Sequence, residues 1–466
     1  MNVLVVAPEA GEWNQLSPLA GAVNLMSEAS ARVGNKDLVY SPFFPKLFRD
    51  LSEYSCIFKG IEPLGERPFE VWKKPDSFHY HIRYDEYFDR PKVYGETRNP
   101  YADNHLRFSF LASAALTYTR EIGFKPDVIF SHDWGGALVS ALARGLFAEN
   151  FGNIPFYITI HNMKYDFYVS EQEIERIGLD RKDNNIDGYE FWGKVSLLKV
   201  GLCYAEKIFL PSPGYRDAIL HGIAGGMSGF LRHNAHKLEG VQFGVNYRTW
   251  DFNIKQKLPI ETAKKEARKL LAAYFREDFG EKLVVYCHLN EESGDTSETL
   301  ATILADITKL PFFIVIGVDP ETPEWNYYQT ILGETSNLMA LLPLDKDYNN
   351  QRHLKMALAG SDLLFASQLK EPSASLVLKS LAGGTIPLIG KDVGCASLLD
   401  SESENANVFI VDDSTAPDQM LRGMKQALDI YQSSPGQWTE MVRHAYGFRY
   451  EWDCTISQYL LTLGKS

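Results

Sequence analysis

The chain alternates between short, nearly continuous apolar runs and longer segments whose apolar residues recur at helical spacing. Apolar runs of this kind predict strands that are buried on both faces, and their alternation with helices predicts parallel sheets covered by helices on both sides. The predicted strands are, in order, NVLVVAP, DLVYSP, PDVIFSHD, IPFYITIHN, KIFLPSP, KLVVYCHLN, PFFIVIGVD, DLLFAS, TIPLIG and NVFIVDD.

This pattern is interrupted between about residues 245 and 280, where a polar segment and an amphipathic segment carry no strand signal. We interpret the interruption as a crossover between two Rossmann-like α/β domains, over residues 1–250 and 251–445. A closing helix within 446–466 is expected to pack back on the first domain. Two such domains, with their parallel sheets facing each other, would place a ligand cleft between the carboxyl ends of their strands.

Composition narrows the classes of function. No apolar run approaches the roughly 20 residues that cross a bilayer, and the N-terminus lacks the order of a signal peptide, so a cytoplasmic protein is expected, with a mature plastid form as the alternative. A net charge of −13 without a basic stripe argues against a nucleic-acid partner. The five scattered cysteines favour a reducing compartment, and neither a metal site nor a cofactor is predicted.

Polar side chains follow two of the predicted strands. His132, Asp133 and Trp134 follow one strand, and His161 and Asn162 follow the next. A histidine at a strand end can donate to a substrate oxygen or phosphate, and a following helix N-terminus favours an anion. The alternative is that each histidine only caps a helix or binds a neighbouring carbonyl.

Three further positions are candidates for a cleft between the domains. Lys199 lies in a predicted helix, and Tyr215 belongs to the S-P-G-Y stretch that opens another. Glu371 precedes Pro372 and a helix, where its carboxylate could bind sugar hydroxyls or could cap the helix.

Taken in order, these segments resemble the ADP-glucose-dependent glycogen and starch synthases of glycosyltransferase family 5. The resemblance covers nearly the whole chain and implies the GT-B fold, with His161 and Glu371 facing the transferred glucose and Asn246 lining the cleft. The stretches that carry it are PDVIFSHDW, ITIHN, AGGMSGFLRHNAHKLEGV, GVNYRTWD, EPSASLVLKSLAGGTIPLI and FRYEWDCTISQYLLTL.

The loop after the first strand departs from that family. The family's K-x-G-G loop, which holds the ADP diphosphate, falls on QLSP, so that Gln15 replaces the lysine and Ser17 and Pro18 replace the glycines. Proline has no N–H to donate, and serine lacks the backbone freedom of glycine. The lost lysine removes a charge that would neutralise a phosphate.

The first strand of the second domain shows a matching loss. His288 stands at the family's arginine and Ser293 at its lysine, with Glu291 and Glu292 beside them. A like-charge pair costs about 4 kcal/mol at an effective dielectric near 20. Of the remaining donor elements, Gly394 alone survives from a glycine-rich loop, and Thr385 survives in G-T-x-P.

The resemblance therefore implies a degenerate synthase that keeps its sugar-facing pair and acts in α-glucan metabolism by binding α-glucan, maltooligosaccharide or a partner such as an active synthase. Aromatic side chains between 78 and 88 could stack on glucose rings or could belong to a core strand. The alternative is an active retaining α-1,4-glucan glucosyltransferase that uses ADP-glucose or another nucleotide sugar. In that case a lysine would supply the missing charge, the candidates being Lys164, Lys199, Lys370 and Lys391.

Overall fold

The computed structural model describes residues 1–11, 17–47, 50–96, 99–289, 294–335, 338–345, 351–367 and 371–464. The chain divides into two compact units. The first comprises Met1–Pro211, Ile219–Val241 and Ile456–Ser466, and the second comprises Ser212–Ala218 and Gln242–Thr455. Five positions of interest in the sequence, Gln15, Glu291, Glu292, Ser293 and Lys370, lie outside the described residues.

The strands of the first unit are β1 (Asn2–Val6), β2 (Lys36–Pro42), β3 (Ser55–Glu62), β4 (Arg67–Lys73), β5 (His79–Arg83), β6 (Gly95–Glu96), β7 (Asn99–Pro100), β8 (Val128–His132), β9 (Phe156–Thr159), β10 (Tyr168–Val169), β11 (Glu190–Phe191), β12 (Lys194–Ser196), β13 (Lys207–Leu210) and β14 (Leu238–Gly240). Its helices are α1 (Pro18–Arg32), α2 (Asp85–Phe88), α3 (Asn104–Glu121), α4 (Asp133–Arg144), α5 (Ala148–Phe151), α6 (Leu197–Tyr204) and α8 (Ser228–His233), and α7 (Pro213–Leu220) contributes residues to both units.

Nine of these strands form one sheet in the order β14-β13-β9-β8-β1-β2-β5-β4-β3. The predicted strands of this half are confirmed, and they belong to a parallel sheet as predicted. At one edge the sheet also has an antiparallel part, because β4 is antiparallel to both β3 and β5. Strand β3 alternates exposed and half-buried residues and therefore carries no continuous apolar run to reveal it. The aromatic segment between 78 and 88 forms β5 and α2, and its Tyr87 and Phe88 are buried in the core.

The second unit contains β15 (Leu283–Leu289), β16 (Phe312–Val318), β17 (Met339–Pro343), β18 (Leu363–Phe365), β19 (Ile386–Gly390) and β20 (Phe409–Val411). Its helices are α9 (Tyr247–Trp250), α10 (Ile260–Phe275), α11 (Gly294–Ile307), α12 (Pro323–Thr335), α13 (Arg352–Gly360), α14 (Ser375–Ala382), α15 (Pro417–Ser433) and α16 (Pro435–Gly447). The strands form a parallel sheet in the order β17-β16-β15-β18-β19-β20. All five strands predicted for this half are present, and β17 is the one that the sequence did not reveal.

The last helix, α17 (Trp452–Thr462), enters the first unit at Ile456. Its Tyr459 is buried and stacks on Phe209 of β13, with ring centroids 4.0 Å apart. The Tyr459 hydroxyl lies 3.2 Å from Oγ1 of Thr159 in β9. This one side chain therefore joins the end of the chain to two strands of the first sheet.

All five cysteines are free thiols. Within the described ranges, no helix is long and apolar enough to cross a membrane.

We predict that Tyr459→Ala lowers the free energy of unfolding of the first unit by about 3–5 kcal/mol, because it removes a buried aromatic ring and leaves a cavity. The matched control on the same helix is Leu461→Ala, whose side chain is 65% exposed and whose effect should stay within about 0.5 kcal/mol. Urea denaturation followed by circular dichroism measures both. Equal midpoints for the two variants would contradict the anchoring role of Tyr459.

Candidate functional site

The candidate site of the first unit lies where three neighbouring parallel strands end. Strands β9, β8 and β1 are adjacent, so the residues that follow them meet at one edge of the sheet. His132 closes β8, and His161 lies two residues beyond β9. Nδ1 of His132 and Nε2 of His161 are 3.0 Å apart, which makes the two predicted histidines a hydrogen-bonded pair.

Both imidazoles of this pair are neutral at physiological pH. Burial lowers the pKa of His161 to about 3, and burial together with the neighbouring His161 holds the pKa of His132 well below its usual range. One ring therefore donates to the other, and the pair can offer a substrate hydroxyl a neutral donor or acceptor but no fixed positive charge.

Asp133 fixes the loop that carries His161. Its carboxylate accepts the backbone N–H of His161 at 2.7 Å and also binds the N–H of Asn162. Its backbone has φ = +50°, a left-handed conformation that costs a non-glycine residue energy and is often found at functional sites. Burial raises the pKa of Asp133 to about 7, partly offset by the His161 hydrogen bond.

Glu9, which the sequence analysis did not single out, is the second acidic group of this region. It follows β1, is 2% exposed, and is hydrogen-bonded to the hydroxyls of Tyr94 and Ser17. Burial raises the pKa of Glu9, and its Oε2 has no hydrogen-bond partner among the described residues. The available signal was an acid three residues beyond the first strand, but a single residue forms no pattern.

Ser17 and Pro18 lie at the N-terminus of α1, which we call closed because they leave few of its first N–H groups unpaired. Ser17 is the N-cap residue, its Oγ accepts the N–H of Ala20 at 3.3 Å, and Pro18 occupies the first turn without an N–H. The first turn of a helix binds anions through its unpaired N–H groups. Here one such group is absent, a second is paired with Ser17, and the Ser17 hydroxyl also binds the acidic Glu9.

Two other predicted site residues of this unit, Trp134 and Lys199, contact other parts of the protein. Trp134 is buried and stacks on Phe167, with centroids 5.4 Å apart. Lys199 is 3% exposed, and its Nζ donates at 2.7 Å to the carbonyls of both Ile186 and Glu190. The ammonium group of Lys199 therefore holds a chain segment in place.

In the second unit, Glu371 binds the start of α14. Its Oε1 accepts the backbone N–H of Ser375 at 2.7 Å, the Ser375 hydroxyl at 2.6 Å and the N–H of Leu376 at 3.3 Å. This arrangement is the capping role that the sequence left open as an alternative.

His288 at the end of β15 binds the Tyr286 hydroxyl through Nδ1 at 2.8 Å. Burial, together with the positive charge of Lys379, lowers the pKa of His288 to about 4. His288, for which the sequence resemblance predicts the position of a family arginine, is thus a neutral imidazole.

The remaining predicted residues of the second unit have backbone or packing contacts. Gly394 packs against the start of α7, where its carbonyl accepts the N–H of Gly214 at 3.2 Å. Thr385 is fully buried and donates to the Ser361 carbonyl at 2.7 Å, and it accepts Nζ of Lys264 at 2.8 Å. Tyr215 is buried in the first turn of α7, and Asn246 lies at the N-cap of α9.

Lys379, which the sequence analysis did not consider, is a cation that interacts electrostatically with both His288 and Glu371. It lies on α14 and its Nζ is 4.4 Å from the centroid of the Trp250 ring. Burial lowers its pKa, the charge of Glu371 opposes that effect, and nearby Lys355 adds to it.

Two of the lysines that the sequence offered as a replacement for the lost positive charge lie at the surface. Lys391 pairs with Asp412 at 3.2 Å, and Lys164 is exposed.

The chemistry of these groups favours binding of neutral hydroxyl compounds over binding of anions. The first unit presents a neutral histidine pair beside two carboxyl groups whose pKa values are raised. Across the described parts of the chain, no group of three or more histidine, cysteine, aspartate or glutamate side chains is placed to hold a metal ion.

Known proteins match this fold and this sequence along its length. The catalytic domain of starch synthase IV from Arabidopsis thaliana, solved with ADP and acarbose, superimposes with a TM-score of 0.82 at 19% identity, covering 98% of this chain and 97% of that one. Sucrose-phosphate synthase from Thermosynechococcus elongatus gives a TM-score of 0.57 at 13% identity, over 100% of this chain and 99% of that one. The fold is GT-B, as the resemblance to the glycogen and starch synthases implies.

Sequence comparison defines the family. The starch synthase catalytic domain family matches residues 2–233. The glycogen synthase of Aeromonas hydrophila is 27% identical over 98% of this chain and 97% of its own length, and that of Treponema denticola is 27% identical over 99% and 97%. The chain belongs to the glycogen and starch synthase family, glycosyltransferase family 5.

The raised pKa of Asp133 predicts a pH-dependent difference between the protein and its Asp133→Asn variant. In the unfolded chain Asp133 ionises near its ordinary pKa of 3.8, whereas in the folded protein it holds its proton up to about pH 7. Between these values the folded state binds more protons, so rising pH destabilises the protein relative to the variant by at most about 1.4 kcal/mol per pH unit.

Urea denaturation at pH 4.5, 5.5 and 6.5 measures this difference. Asp306→Asn, on the exposed side of α11, is the control and should give a difference that changes much less with pH. A flat difference for Asp133→Asn would contradict the buried, protonated state of Asp133.

Proposed function

We propose that this protein is a catalytically degenerate member of its family that acts in α-glucan metabolism by binding glucan or a partner enzyme. In this proposal the first unit is the acceptor side and binds α-glucan or maltooligosaccharide through the edge that carries His161. The second unit corresponds to the nucleotide-sugar side of an active synthase and binds its donor weakly or not at all.

The observation that carries the proposal is the closed N-terminus of α1. The segment that would hold a diphosphate in the family has a serine cap, a proline without an N–H, and a hydrogen bond from Ser17 to the buried acid Glu9. A phosphate approaching this turn would meet a carboxyl group and few unpaired donors. Because departure of the diphosphate needs preorganised donors and positive charge, loss of this turn removes a large catalytic contribution.

The second unit supports the same proposal. His288 is a neutral imidazole engaged by Tyr286, and Oε1 of Glu371 is already bound by the first turn of α14. Neither group offers positive charge to a departing diphosphate.

One observation favours the alternative function, an active retaining α-1,4-glucan glucosyltransferase. Lys379 is a cation close to both His288 and Glu371, and within the described residues its Nζ makes no hydrogen bond or ion pair. In an active enzyme this ammonium group would stabilise the leaving diphosphate of ADP-glucose or of another nucleotide sugar in place of the lost arginine and lysine.

The test is primer extension with labelled ADP-glucose and UDP-glucose, with the Aeromonas hydrophila glycogen synthase as the active control. We predict that incorporation by this protein is lower by roughly 10³-fold or more, since removal of even one preorganised donor typically costs 10²–10³-fold. Residual incorporation should not change in His161→Ala or Glu371→Ala.

Two further variants separate the proposal from its alternative. Clear primer extension that is abolished by Lys379→Met, but not by the surface control Lys391→Met, would contradict the proposal of a catalytically degenerate protein. It would establish Lys379 as the cation that replaces the lost arginine and lysine.

A further inference from the structure

The first unit contains a cavity of about 220 Å³ beside the loop that carries His161. Met163 and Asp166 of that loop line it, together with the strands that follow and the turn before α8. Its other lining residues are Tyr168, Phe191, Trp192, Leu198, Ala224, Gly226 and Met227. The cavity therefore lies within the first unit. Two of its lining residues, Met163 and Asp166, follow closely in the chain after His161 of the candidate site.

Trp192 is presented to this cavity by an unfavourable backbone turn. Phe191 pairs with Lys194 across the β11–β12 hairpin, which leaves Trp192 and Gly193 as its two turn residues. Their φ angles are +53° and +76°, the signs required by a type I′ turn, for which Asn-Gly is the preferred sequence. A tryptophan at this position is opposed both by backbone sterics and by the 83% exposure of its side chain.

The aromatic rings beside Trp192 form one wall of the cavity. Tyr168 and Phe191 are stacked, with centroids 5.7 Å apart and planes 18° apart, and Phe191 lies 6.0 Å from Trp192. A Cβ added to Gly226 would lie 3.0 Å from Phe191 and 3.6 Å from Trp192, so the glycine allows the opposite turn to approach both rings closely.

Internal hydrogen bonds hold this wall in place without a ligand. The N–H of Gly193 donates to Oε1 of Glu190 at 2.7 Å, and Nζ of Lys199 donates to the Glu190 carbonyl at 2.7 Å. The carboxyl group of Asp166 accepts the Ser196 hydroxyl at 2.5 Å and the N–H of Leu198 at 2.9 Å, which ties this lining residue to β12 and α6. The rings are thus preorganised, which reduces the entropy lost on binding.

We infer that this cavity is an α-glucan subsite in which Trp192 and the Tyr168–Phe191 stack bind the apolar faces of glucose rings. Flat aromatic faces suit the C–H face of a pyranose, and the carboxyl group of Asp166, which lines the cavity, suits its hydroxyls. The occupant is assigned as α-glucan because the chain belongs to the glycogen and starch synthase family, so the inference rests on the proposed glucan-binding function.

The decisive variant is Trp192→Asn. It creates the preferred turn sequence Asn-Gly, so the thermal midpoint should stay equal or rise, whereas the affinity for maltoheptaose should fall by about tenfold or more, as expected when an aromatic anchor is lost. Isothermal titration calorimetry with maltoheptaose measures the affinity, and Tyr168→Ala should weaken it as well. The control is Tyr327→Ala, another exposed aromatic, on α12 of the second unit, which should bind like the unaltered protein.

Quenching of tryptophan fluorescence by maltoheptaose should be present in the unaltered protein and absent in Trp192→Asn. Unchanged maltoheptaose affinity in Trp192→Asn and Tyr168→Ala would overturn the subsite and leave the proposed function intact. Failure of the unaltered protein to bind maltoheptaose at all would overturn both the subsite and the glucan-binding form of the proposed function, and would leave only its partner-enzyme form.

Discussion

The carboxyl groups of Glu9 and Asp133 organise the edge of the first sheet on which the candidate site depends. Asp133 accepts the N–H groups of His161 and Asn162 and so ties the end of β8 to the loop after β9. Glu9 ties the end of β1 to Ser17 at the start of α1. Polar groups that could face a ligand are therefore bound by the protein itself, and two acids are buried where an anion would otherwise approach.

In the second unit, too, polar groups that could face a ligand are bound by the protein itself. Oε1 of Glu371 is bound by the first turn of α14, His288 is bound by Tyr286, and Thr385 is bound by Lys264 and a backbone carbonyl. In the proposed account, these internal contacts replace contacts to a nucleotide sugar. Aromatic surface, in contrast, remains open in the first unit, where Trp192 stands at the tip of its hairpin.

The sequence predicted the strands well because a strand buried on both faces leaves a continuous apolar run, whereas the edge strand β3, half exposed, left none. It also placed His132 and His161 at neighbouring strand ends, and they form a hydrogen bond. It could not predict that Lys199 binds two carbonyls, because a lysine in a helix carries no sign of its partners. The sequence did not reveal Trp192 either, because Trp-Gly is not a typical turn sequence.

Calorimetric titration of ADP into the protein tests the central claim most directly, because it measures diphosphate binding without requiring turnover or an acceptor. The account predicts a dissociation constant weaker than about 1 mM, which corresponds to less than about 4 kcal/mol of binding free energy. A dissociation constant in the micromolar range would contradict it, because the closed turn at Ser17 and Pro18 and the neutral His288 would then have to coexist with an intact diphosphate site.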